Sequence, residues 1–145
     1  MTTIVYRDGV LAADARVVSK DFIYPEVVEK IFRLPDGSLL GIAGQVSNYD
    51  EIRAAVMENP NDLPKFKNNS MIRITPDGTI WHEDGGVFLK TNAPYMAIGS
   101  GEPYAWGALA VGASAEKAVA VAAMFNVGTG GPISVLKLND EDGGD

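Results

Sequence analysis

No cysteine occurs among the 145 residues. Disulfide staples, thiolate zinc sites and cysteine nucleophiles are therefore excluded. Histidine occurs once, as His82, too few for a two- or three-histidine metal site within one chain. A serine triad would have to use that same imidazole. It stands in TPDGTIWHEDGG, between two turn signals, where a hairpin residue is the simpler reading. A catalytic base must come from elsewhere. No apolar run approaches the roughly 20 residues that a membrane span needs. The opening MTTIVYRDG lacks the basic-then-apolar layout of a signal peptide, so the cytoplasm is the expected location. Positive charge is also scarce: 12 basic against 19 acidic residues leave a formal charge of -7. Without a clustered basic patch, a nucleic-acid partner is not expected. Asp140, Glu141, Asp142 and Asp145 place part of the acidic excess in residues 139–145, which read as a solvated tail.

What is present suits a globular core. Hydrophobic residues make up 46%, and a chain of this length can bury them in one domain, here 1–138, without staples. Thr3–Arg7 is β-branched and aromatic, and Asp8-Gly9 is a hairpin turn returning the chain through Val10–Ala13 to Asp14. A loop through Tyr24-Pro25 leads to a strand at Val27–Leu34; Pro35-Asp36-Gly37-Ser38 then turns the chain and Leu39–Ala43 runs back. A short helix is expected from Ser47 or Asn48 to about Met57. Residues 59–70, NPNDLPKFKNNS, read as a loop.

Further strands are expected at Met71–Thr75, Thr79–His82, Val87–Leu89 and Tyr95–Gly99. Two helices come next, one opening at Gly101-Glu102-Pro103 and ending near Val111-Gly112, the other capped by Ser114 and running Ala115–Phe125. A last strand spans Pro132–Leu138. This order of strands, helix, strands, paired helices and strand predicts an α+β layered sandwich. Gly99-Ser100-Gly101 joins strand to helix as a phosphate loop would. Tyr104 occupies the third glycine position, however, and no P-loop lysine follows.

The distinctive chemistry lies at the N-terminus. Methionine ahead of a small residue such as threonine is normally removed, which would leave Thr2 with a free α-amine. Such an amine has a reference pKa of about 7.7–8.0, so a fraction is neutral at working pH and can take a proton. A terminal threonine thus combines nucleophile and base in one residue.

Thr2-Thr3-Ile4-Val5 is followed by Ala13-Asp14-Ala15-Arg16, by Val28-Glu29-Lys30-Ile31-Phe32-Arg33-Leu34 and by Gly41-Ile42-Ala43-Gly44. Later come Ala97-Ile98-Gly99-Ser100-Gly101 and Asn126-Val127-Gly128-Thr129-Gly130-Gly131. In order and approximate spacing this series resembles the proteasome β-subunit and HslV peptidase family, most of all the bacterial HslV branch. The resemblance covers most of residues 2–58 and 95–138. It implies a four-layer αββα sandwich of the N-terminal nucleophile hydrolase type and a threonine peptidase activity without metal or organic cofactor.

The resemblance also implies roles. Thr2 Oγ would attack the scissile carbonyl and its own amine would take the proton. Lys30 would lower the amine's pKa and favour the developing alkoxide, with Asp14 holding that lysine. The Gly44 N–H would donate to the tetrahedral oxyanion. Ser100 would relay the proton beside the amine. Read singly, Asp14 could end a strand, Lys30 could face solvent and Ser100 could cap a helix. Asn126 and Thr129 stand where the proteasome branch has aspartate and serine; Thr129 keeps a hydroxyl for the amine, while Asn126 keeps the hydrogen-bonding shape without the charge. Val17, Val28, Ile42 and Val46 would flank the substrate pocket, which predicts cleavage after hydrophobic or aromatic residues.

Only one short helix fits between Asn48 and Pro60, where the family places two long ones that help form rings and meet an unfoldase. A homo-oligomer acting on peptide or unfolded protein is expected; a standard double ring or an ATP-dependent unfoldase partner does not follow. Two alternatives remain open: a non-catalytic assembly or scaffold subunit of the same fold, and an amidohydrolase of small molecules.

Overall fold

The computed structural model describes residues 2–139. The acidic tail lies outside them from residue 140 onward, as does Met1. Strands β1 (Ile4–Arg7) and β2 (Val10–Ala13) form the opening hairpin, turned by Asp8 and Gly9 at φ 51° and 80°. A two-residue turn with positive φ at both positions matches the right-handed twist of the strands it joins. β1 also pairs with β10 (Tyr95–Ile98), and β2 with β11 (Ser134–Lys137), giving the antiparallel order β10-β1-β2-β11.

A second antiparallel sheet runs β5 (Ile31–Arg33), β6 (Leu39–Gly44), β7 (Asn69–Ile74), β8 (Ile80–Asp84) and β9 (Val87–Thr91). Its turns obey the sequence signals. Asp36 Oδ1 accepts from the Ser38 N–H at 2.8 Å, and Asp77 Oδ1 from the Thr79 N–H at 3.1 Å. These are Asx turns closing the two Pro-Asp-Gly segments. His82 sits in β8 opposite Ile72 and Leu89, a hairpin residue as expected.

Three apolar clusters show how the elements stack. Ile4, Tyr6 and Leu11 of the first sheet meet Leu39, Ile72 and Ile74 of the second. The other face of the first sheet, with Val5, Ala12 and Ala97, takes α2 (Glu102–Ala110) and α3 (Ala115–Phe125) through Ala105, Leu109, Ala118 and Val119. Alanines at these contacts let both helices lie close to the strands. Ser114 caps α3, its Oγ accepting from the Lys117 N–H at 3.1 Å. The other face of the second sheet carries α1 (Tyr49–Glu58), which buries Tyr49, Ile52 and Val56. Leu63 extends that cover from the next loop, where its N–H bonds the Gly86 carbonyl at 2.8 Å.

The structure corrects one stretch. The loop expected through Tyr24-Pro25 is a hairpin of β3 (Arg16–Ser19) and β4 (Phe22–Val27), and the strand expected over Val27–Leu34 is broken at residues 28–30. The hairpin turns through Lys20 at φ 52°, a non-glycine residue that gave no turn signal. Pro25 is tolerated because a two-stranded sheet consists of edges, where a missing N–H breaks no ladder. The break also redirects Lys30. The Val28 N–H bonds Ala15 O at 3.0 Å and the Lys30 carbonyl accepts from Ile42 at 2.9 Å, so the chain crosses toward the second sheet with Lys30 turned inward.

Candidate active site

The β1–β2 hairpin sets Asp14 beside the chain's start. Its carboxylate accepts from the Thr3 N–H at 3.0 Å, the Gly130 N–H at 3.0 Å and the Arg16 N–H at 3.2 Å. Lys30 Nζ then donates to both of its oxygens, at 3.0 and 3.1 Å, and to the Arg16 carbonyl at 2.7 Å. The Lys30 and Asp14 side chains are 1% and 0% exposed. Three backbone donors and an ammonium satisfy the carboxylate, which is what a charge this deep requires. Burial pushes the Lys30 pKa below its usual value, and the Arg16 guanidinium pushes the same way; Asp14 opposes both. Lys30 is therefore no solvent-facing strand residue, and Asp14 does more than close a turn.

Thr2 is 1% exposed. Its backbone nitrogen, the atom that removal of Met1 would convert to an amine, donates to Ser100 Oγ at 3.0 Å. Ser100 Oγ donates in turn to Asn126 Oδ1 at 3.0 Å. Thr129 Oγ1 donates to the same oxygen at 2.7 Å, and Thr3 and Thr129 share a hydroxyl contact of 2.7 Å. Asn126 thus serves as a double acceptor for hydroxyls, a task its amide oxygen performs without charge. Ser100 does not cap α2, whose N-cap is Gly101 without a side-chain bond. Thr129, expected to reach the terminal nitrogen, instead lies under Gly101 against Thr3, because Ser100 already fills the place beside Thr2.

Gly44 ends β6 at φ 102°, and a Cβ there would fall 1.9 Å from the Asn68 carbonyl oxygen. Only glycine fits this position. Gly44, Thr2 and Lys30 line one cavity of about 800 Å³, together with Val17, Val46 and Tyr24. Val28 and Ile42, expected in that lining, are not part of it. Ile42 is fully buried among Leu40, Ile52 and Val56, because alternation along β6 turns it toward α1, and Val28 packs on the same cluster.

Three contributors escaped sequence reasoning. Tyr24 reaches the cavity only because β4 exists. Arg16 pins the segment after α3: Nη1 bonds the carbonyls of Val127 at 3.0 Å and Thr129 at 3.2 Å, and a side chain at Gly130 would collide with its guanidinium. That placement aims the Gly130 N–H at Asp14. Tyr49 stands on the first turn of α1, 4% exposed, with its ring edge-on to Phe32 at 6.5 Å. Burial lifts its phenol pKa to about 12, the nearby Thr2 side chain works against that rise, and the Asp14 charge adds to it. Among the described residues, no three His, Asp or Glu side chains converge as a metal site needs, and no helix is long and apolar enough to cross a membrane.

Solved structures resemble the fold along almost the whole chain. BPH of Thiobacillus denitrificans is 22% identical with a TM-score of 0.64, both alone and in complex with epoxomicin; the matches cover 97% and 96% of this chain and 99% of that one. Eukaryotic HslV from Trypanosoma brucei is 20% identical with a TM-score of 0.70, covering 94% of this chain and 98% of that one. The chain shares their fold. Neither the protein-family models nor the curated proteins contain a match.

Proposed function

We propose that the protein is a threonine-type endopeptidase in which Thr2, freed by removal of Met1, is the nucleophile. One observation carries this reading: the Lys30 ammonium is buried on Asp14 and lines the same cavity as Thr2. The buried ion pair as a whole meets no structural need that a pair of apolar residues would not meet as well. As a fixed positive charge Lys30 favours the neutral amine and the developing alkoxide.

The Thr2 hydroxyl proton passes to its own α-amine as the Oγ–carbonyl carbon bond forms. Charge collects on the carbonyl oxygen, where the Gly44 N–H donates. The C–N bond then breaks and the ammonium returns a proton to the leaving nitrogen. Water, deprotonated by the same amine, attacks the acyl ester and expels Thr2 Oγ. Ser100 accepts from the amine N–H and donates to Asn126 Oδ1, which holds the lone pair in line, and its exposed hydroxyl can pass protons between the amine and water. Val17, Val46 and Tyr24 give the cavity an apolar wall suited to a hydrophobic or aromatic side chain before the cleaved bond.

In this reading residues 1–138 form one domain, a four-layer αββα sandwich, which works in the cytoplasm as a homo-oligomer on peptides or unfolded protein. An ATP-dependent unfoldase could meet it only through a surface other than the second outer helix, which α1 and the loop after it replace. A second reading, a non-catalytic subunit of the same fold, draws on the neutral Asn126 beneath Ser100.

Epoxomicin bound to BPH supplies the probe. Protein lacking Met1 by intact mass should gain one inhibitor mass on the Thr2 peptide, and Thr2→Ala should gain none. Met1-free protein that neither takes the adduct nor cleaves fluorogenic peptides would favour the scaffold.

A further inference from the structure

Tyr49 carries a buried hydroxyl beside Thr2 that the peptidase steps leave unused. Its Oη is sealed from solvent; the Thr2 side chain is near enough to act on it as a hydrogen-bond partner but stands outside good hydrogen-bond geometry. Leaving a buried donor without a good partner costs stability. A phenylalanine would fill the same space against Phe32 and Ile52 without that cost. The phenol also stands in a selected neighbourhood: the Thr2 side chain and the Asp14 carboxylate are the two groups that act on it. It is positioned by the first turn of α1, directly after the Gly44–Asn48 segment that edges the cavity.

We infer that Tyr49 is a further catalytic residue, whose phenol donates a hydrogen bond to Thr2 Oγ as the acyl ester forms and breaks. This rests on Thr2 being the nucleophile. A hydroxyl oxygen has two lone pairs. During attack one becomes the new bond to carbon, and the other can accept from Tyr49. No proton leaves the phenol: its pKa near 12 keeps it a donor throughout the working range. The bond is worth most when Oγ carries charge, on attack and again when water expels it from the ester. An unpaired donor in the resting protein is then a group waiting for the charged state, preorganised and already dehydrated. Lys30 supplies the charge at this point and Tyr49 the direction.

The test is Tyr49→Phe in Met1-free protein, with peptide kinetics and thermal unfolding measured together. Tyr49 does not line the cavity, so KM should stay within about twofold while kcat falls about tenfold to a hundredfold. The melting temperature should hold or rise, since the variant removes an unpaired group. A merely structural tyrosine would give the opposite pattern, a lower melting temperature with unchanged kcat, and that overturns the inference. As a second readout, the Tyr49 ζ-carbon resonance at pH 7 should move in Thr2→Val; an unmoved resonance means the phenol does not address Oγ, and the inference is lost. The two failures are separable. An inactive, unlabelled wild type removes the peptidase reading and this role with it, whereas an active wild type matched by Tyr49→Phe removes only this role.

Discussion

Thr2 stands between two hydrogen-bonded groups built on opposite plans. On one side lie Asp14 and Lys30, formally charged and with side chains at most 1% exposed. On the other lie Ser100, Asn126 and Thr129, all neutral, running from buried Thr129 through half-buried Asn126 to exposed Ser100. The difference stems from dielectric. A charge acts on its neighbours most strongly where water cannot screen it, and it is tolerated there only if paired and fully bonded. Hydroxyls that pass protons lose little to water and can use it. In the proposed reaction the charged side would thus set the electrostatics of Thr2, and the neutral side would handle traffic to a solvent that must enter for hydrolysis.

The sharpest way to break this contrast is to remove one charge. Asp14→Ala strands the Lys30 ammonium and orphans the N–H groups of Thr3, Arg16 and Gly130. Unfolding in urea at pH 7 should show a loss of about 3–5 kcal/mol, and peptide cleavage should vanish. Lys30→Met leaves a carboxylate that keeps its three backbone donors, so its stability cost should be the smaller of the two. Its loss of kcat should still reach about a hundredfold or more. Equal stability losses for the two variants would mean that the backbone donors contribute nothing to Asp14.

How far this site can be seen in the sequence depends on which residues one considers. The opening hairpin is written in Asp8-Gly9, and the two Pro-Asp-Gly turns and the Ser114 cap are just as local, so the element ends beside them fall within a residue or two of expectation. β3 and β4 are not written locally. Lys20 adopts positive φ without being glycine, and Pro25 sits in a strand because that strand is an edge; pairing overrides propensity there. The consequence reaches the site, since Tyr24 goes unnoticed without β4 and Val28 is assigned to a strand that begins only after it. Asp14, Lys30, Gly44 and Ser100 are legible through ordered motifs, not through geometry. Tyr49 carries no motif. A tyrosine opening a helix looks like any core aromatic until its hydroxyl is found buried and unpaired.

A pH series separates the charged side by sign. Burial lowers the folded Lys30 pKa below 10.5, so activity that needs the ammonium should fall at a pH below the usual lysine range. In that interval the unfolded chain still binds the proton that the folded chain has released, so stability should rise with pH while activity falls. Above about pH 10 the tyrosines work against the rise, because buried Tyr6 and Tyr49 hold protons that their unfolded counterparts lose, so their contribution to stability falls with pH. Paired measurements of kcat/KM and urea midpoint from pH 7 to 10 check this; parallel declines would put the limb elsewhere than Lys30. On the neutral side, Ser100→Ala should lower kcat about tenfold yet change stability by less than about 1 kcal/mol, since the side chain is exposed.

The smallest effect, and the finest test of the comparison, belongs to Asn126→Asp. The carboxylate can accept from Ser100 and Thr129 as the amide oxygen now does, at 3.0 and 2.7 Å. It forfeits only the long contact of Nδ2 to the Ser100 carbonyl, 3.4 Å. What it adds is a negative charge two hydrogen bonds from the Thr2 nitrogen. A negative charge there favours the protonated amine, so the acid limb of kcat/KM should move upward. Partial exposure screens the charge, which limits the move to less than about one pH unit and the change in plateau kcat to about threefold. Added salt should shrink the displacement, whereas the effect of Lys30→Met should be indifferent to salt because solvent ions do not reach it. An acid limb that moves by about two units or more would mean that Asn126 shares the dielectric of Asp14, and the two sides of Thr2 would then be one electrostatic unit.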